Sequence, residues 1–130
     1  MAGATIQLTT KKQHSLSEIQ VKLNHVEGAE PISKTEQTIN NVAIWTLVYE
    51  KYYIRTSSYT SISIVLTEHE QEQTACVVSA GGGSGVFNHS LGANRKFAKE
   101  CVAVLESCGF SVIKSDLDGP GMGFAERFFT

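Results

Sequence analysis

The chain has little of what breaks or staples a fold. Two prolines in 130 residues exclude a proline-rich linker or extended Pro-rich ligand segment. The three cysteines, Cys76, Cys101 and Cys108, are odd in number and show no Cys-x-x-Cys spacing, which argues against a disulfide framework and a zinc knuckle. Cys101 and Cys108 would stand about 10 Å apart along a helix, too far to share one metal, so no metal site is expected. All three read as reduced, buried thiols. No run approaches the roughly 18 apolar residues that a membrane-crossing helix needs. The start, Met1-Ala2-Gly3-Ala4-Thr5-Ile6, lacks a basic segment followed by an apolar one, so the expectation is a cytoplasmic protein. Charge of one sign is missing too. With 11 Lys+Arg against 13 Asp+Glu the net charge is −2, which gives no bulk attraction to nucleic acid polymers or anionic membranes.

What is there suits one globular domain over residues 1–130. The composition is 42% hydrophobic and 18% charged, and a chain of this length buries roughly two-thirds of its unfolded surface. Thr5 to Thr9 alternates as a short strand. Ser15 followed by Glu18 is a capping box, and Leu16, Ile19, Leu23 and Val26 continue as one apolar stripe towards a stop at Gly28. From Ile32 to Ala80 the period becomes two. Asn40-Asn41 predicts a tight hairpin turn. Val42 to Arg55 reads as a long strand, apolar on both parities, which suggests a central place or a face on a partner chain. A strand follows with Ile62, Ile64 and Leu66 inward, then a polar loop over 68–73 and a strand over Thr74 to Ala80. A second helix carries Phe97, Cys101, Val104, Leu105 and Cys108 inward, with Lys96, Lys99 and Glu100 facing away; Gly109 stops it. Residues 110–130 read as a short strand and an aromatic tail. The expected fold is α+β, a mainly antiparallel sheet of five to six strands with two helices on one face, in the order β-α-β-β-β-β-α-β.

Catalytic sets are absent from this pattern. His14, His25, His69 and His89 are scattered, with no positioned nucleophile or orienting carboxylate beside any of them, so no enzyme is expected. Asp116-Leu117-Asp118-Gly119 starts like a calcium loop, but Gly-Pro-Gly-Met follows where ligands are needed, and a plain turn is the better reading. The segment Gly81-Gly82-Gly83-Ser84-Gly85 has two readings. It cradles an anion with free backbone amides, or it is a bulge where another element passes closely. Against the first, it has no P-loop lysine, and the helix is expected to start about ten residues later.

A candidate ligand site gathers Gly82, Gly83, Ser84, Phe87 and Asn88 with Arg55, Arg95 and Arg127. The glycines offer amides, Phe87 a stacking surface, and the arginines bidentate contacts to phosphate. The tail aromatics Phe124, Phe128 and Phe129 point to docking on a sheet or on a neighbouring subunit, hence a homo-oligomer.

Val48-Tyr49-Glu50-Lys51-Tyr52-Tyr53, Ser79-Ala80-Gly81-Gly82-Gly83-Ser84-Gly85-Val86-Phe87 and the Phe97-to-Leu105 helix together resemble a small bacterial family of unknown function. The resemblance covers about residues 15 to 108 and implies a fold without an activity. In size, element order and its Gly loop, aromatics and arginines, the chain is also similar to phage anti-Thoeris sponge proteins. Those are small oligomers that sequester a cyclic nucleotide-like signal without cleaving it. The expected function is therefore a non-catalytic, homo-oligomeric binding protein for a small phosphate-containing molecule, without a cofactor. The alternative is a structural or protein-interaction module with no small-molecule ligand.

Overall fold

A computed structural model describes residues 4–54, 57–80 and 89–116, with the backbone alone for 89–92. The elements are β1 (Ala4–Lys11), α1 (Leu16–Leu23), β2 (Glu30–Ile39), β3 (Val42–Tyr53), β4 (Ser58–His69), β5 (Glu72–Ala80), α2 (His89–Ser107) and β6 (Ser111–Ser115). The sheet order is β2-β3-β4-β5-β1-β6, and every neighbouring pair is antiparallel. This is the expected α+β architecture in the expected order.

Local chemistry sets the element ends. Ser15 Oγ accepts from Glu18 N while Glu18 Oε1 accepts from Ser15 N, so the capping box satisfies two amides at the start of α1. The helix is shorter than its apolar stripe suggests. It ends at Leu23, and Val26 is buried from the turn that follows. Gly109, at φ +101°, closes α2, with Phe110 N donating to Leu105 O and Gly109 N to Glu106 O; these two bonds satisfy carbonyls the helix leaves open. Asn40 and Asn41, at φ +50° and +68°, form the two-residue turn between β2 and β3. The polar loop expected over 68–73 is mostly strand. β4 runs to His69 and β5 starts at Glu72, with Glu70 at φ +57° making the turn.

The core lies between one sheet face and both helices. Ile6, Leu8, Ile62, Ile64, Leu66 and Val77 of the sheet meet Ile19 and Leu23 of α1 and Phe97, Leu105 and Cys108 of α2. Strand β3 is second from the edge, not central. Leu47 and Tyr49 are buried on the helix side, whereas Ile44 and Val48 are only half-buried on the face without helices. Among the described residues both helices lie on the other face, so this side of the two-sided apolar pattern is only half-buried. Cys76 stands half-buried on that open face, unlike Cys101 and Cys108 in the core. Among the described residues no helix is long and apolar enough to cross a membrane.

Candidate functional site

The glycine-rich segment leads from the end of β5 into α2, and α2 starts at His89. The helix thus begins four residues after Gly85, not ten, which corrects the sequence-based argument against an anion site here. Nineteen residues of aligned peptide dipoles put partial positive charge at the His89 end of α2. Gly82, Gly83, Ser84, Phe87, Asn88, Arg55 and Arg127 lie outside the described residues. Arg95 is described: it is half-buried in the first half of α2.

Two features stand out in this part of the structure. On the solvent side, Arg95, Lys96, Lys99, Glu100 and Ala103 line an open depression of about 530 Å³. Three cations face one carboxylate there, and that carboxylate is already engaged from the sheet side. Lys51 Nζ lies 2.8 Å from Glu100 Oε1, with the Lys51 side chain 13% exposed. Its ammonium also stands 5.3 Å from the Tyr53 ring centre and 5.7 Å from that of Phe97. Glu100 lies on the solvent side of α2, as the sequence pattern sets it, and the long Lys51 stem lies along the apolar rings so that only its charge needs a partner there.

On the core side, Asn94, Thr60 and Ser79 are fully buried. Ile62 pairs with Ser79, so Thr60, two residues before Ile62 on the same face, is the diagonal neighbour of Ser79. Among the described residues, neither Thr60 Oγ1 nor Ser79 Oγ has a hydrogen-bond partner. Burying a hydroxyl without a partner costs free energy, and these two lie together at one end of the sheet. The sequence signal was available: Thr60 shares parity with Ile62 and Ile64, Ser79 shares parity with Val77, and Asn94 lies one turn before Phe97.

Burial raises the Tyr53 hydroxyl pKa well above its ordinary value, with Glu100 and Cys101 adding to the effect. Burial likewise takes Tyr49 up to about 12; its hydroxyl donates to Asn24 Oδ1 at 2.7 Å. The Cys101 thiol is pushed to about 12, chiefly by burial and then by Glu100, against a smaller opposing effect of Lys51. All three stay protonated at neutral pH. Of the three, the Tyr49 hydroxyl fastens β3 to the end of α1 through Asn24. No group of three or more His, Cys, Asp or Glu side chains could hold a metal among the described residues.

A family model described as a family of unknown function, DUF6054, matches residues 1–109, and the chain belongs to that family. No curated protein matches the chain.

Proposed function

We propose that this protein binds a small anionic, phosphate-containing molecule on the middle of α2, between Arg95 and Ala103, and holds it without turnover. The observation that carries this reading is the depression lined by Arg95, Lys96 and Lys99, in which the single carboxylate, Glu100, is already paired with Lys51. The chain as a whole is weakly acidic, so three cations around a concavity are a local choice, not a reflection of composition. Gly82, Gly83, Ser84 and Asn88, ahead of α2 in the chain, are proposed to add further donors. Phe87 supplies a stacking surface for a base, and Arg55 and Arg127 supply further phosphate contacts. A cyclic nucleotide-type signal, held as the sponge proteins hold theirs, is the ligand class that uses all of these groups. The protein acts in the cytoplasm as a homo-oligomer, sequestering the molecule.

The test is calorimetric titration of the full chain with inorganic pyrophosphate, cyclic mononucleotides and cyclic dinucleotides. Binding that falls at least tenfold in both Arg95→Ala and Lys99→Glu supports the site. Binding unchanged in both variants would place the ligand elsewhere, and absence of binding to every probe would favour an interaction module.

A further inference from the structure

Strand β2 is one edge of the sheet, and all ten of its residues are exposed. The other edge, β6, has five residues and is paired across a register shift at Gln7/Leu8. A long open edge is a template for another strand. The hydrogen-bonding parity of β2 follows from its turn. A two-residue turn makes Ile39 and Val42 a hydrogen-bonded pair, and such pairs alternate along an antiparallel ladder. Gln37, Thr35 and Ser33 therefore bond to β3, while Thr38, Glu36 and Lys34 direct their N–H and C=O groups away from the sheet. No backbone bond from another described element reaches that side.

We infer that β2 is a self-pairing edge, joining antiparallel to β2 of a second copy about a two-fold axis at Thr35. The charges select this register. Lys34 and Glu36 share one face of β2, 2.7 Å apart, and both are substantially exposed. With the axis at Thr35, Lys34 stands opposite the partner's Glu36 and Glu36 opposite the partner's Lys34. Those are also residues whose backbone groups point outward, so each pair exchanges both main-chain bonds. An axis at Lys34 would set Lys34 against the partner's Lys34, and an axis at Glu36 would oppose two carboxylates. Like charges directly opposite are unfavourable in a ladder, whereas opposite charges support it. Pro31 and the register shift between Pro31 and Ser33 confine the pairing to the segment around Thr35. Lys34 Nζ also sits 4.2 Å from the Trp45 ring centre, which holds the lysine at the edge it would use.

This names the surface for the assembly proposed above and rests on that part of the reading alone; it does not depend on the ligand. Analytical ultracentrifugation of the full chain tests it. The wild type is expected to be a multiple of two. Lys34→Glu and Glu36→Lys are each expected to weaken β2 pairing by roughly tenfold or more, because two attractive pairs become repulsive. Mixed in equal amounts, the two variants should form a heterodimer, and the double swap Lys34→Glu/Glu36→Lys should restore self-association. Glu36→Pro removes an outward N–H while sparing the β2–β3 ladder, and should also dissociate the pair. A monomeric wild type would overturn both the edge and the assembly. An oligomer whose mass is unmoved by either charge variant, or variants that stay apart when mixed, would overturn the edge and leave assembly through another surface.

Discussion

Lys51 Nζ and Glu100 Oε1 stand 2.8 Å apart and join β3 to α2 beneath the rings of Tyr53 and Phe97. This ion pair is structural and also sets the charge of the depression above it, because it takes up the one carboxylate lining the site. Lys51→Met keeps the apolar stem and removes the charge. It is expected to cost about 1–2 kcal/mol, less than a fully buried pair because Glu100 is about a third exposed. It should also weaken pyrophosphate binding several-fold although Lys51 does not line the depression. Chemical denaturation and calorimetry measure the two effects separately. A variant that loses stability and keeps its affinity would confine the pair to a structural role.

The buried hydroxyls make a prediction of opposite sign. Among the described residues Thr60 Oγ1 has no partner, so Thr60→Val replaces an unsatisfied hydroxyl by a methyl of similar size. Stability should rise by about 1 kcal/mol. Ligand affinity should be unchanged, because Thr60 is fully buried and does not line the depression. A melting curve and a binding titration on the same preparation decide it. A destabilised variant would mean that the hydroxyl has a partner in solution.

At the opposite end of the sheet, Gln73 is fully buried and its Nε2 donates to His14 O and Glu68 Oε1, each at 2.8 Å. Burial acts to raise the Glu68 pKa, but the hydrogen bonds from Gln73 and Lys12 outweigh it and hold the carboxyl below its usual 4.5. Glu18 is also held below 4.5, first by its bond to the Ser15 amide. Since both folded-state values lie below the unfolded ones, the unfolded chain takes up protons first as pH falls. The stability these groups contribute is present above about pH 4.5 and is lost as pH drops through the folded values. Denaturation midpoints between pH 6 and pH 3 should fall accordingly. Gln73→Leu should cost about 2 kcal/mol at pH 7 and flatten that acid dependence, because one of the two carboxyls loses its bond.

The three thiols should separate by place. Cys76 is half-buried on the open sheet face, whereas Cys101 and Cys108 are 2% and 0% exposed. Titration with a thiol-specific disulfide reagent at pH 8 should modify one thiol in the folded protein and all three in denaturant. Cys101, with its value pushed to about 12, is the least reactive for a second reason, since it stays protonated.

The fold was largely legible in the sequence because its devices are local. The Ser15–Glu18 box, the Asn40-Asn41 turn and the Gly109 stop each require particular residues at fixed spacings, and each is found where those residues stand. The rest was not legible where one alphabet serves two roles. Lys51 and Glu100 look like solvated residues at either end of a long stem, and only the packing of β3 against α2 brings them together. The polar residues on inward parities, Thr60, Gln73 and Ser79, were readable as interruptions of an apolar pattern; a single strand does not say whether such a residue fastens a loop, as Gln73 does. Of the residues selected for ligand binding, Arg95 is the one within the described part, and it lies on the cationic depression. The start of α2 was misplaced because its stripe of large apolar residues begins at Phe97, two turns inside the helix.

The central claim is that the middle of α2, between Arg95 and Ala103, holds a small phosphate-bearing molecule. Native mass spectrometry of the protein freshly purified from cells, followed by denaturing release, tests it most directly. The account predicts a bound phosphate-containing mass in the wild type that is lost in Arg95→Ala. A wild-type protein that is bare as purified, and still bare after exposure to pyrophosphate and to cyclic mono- and dinucleotides, would contradict it.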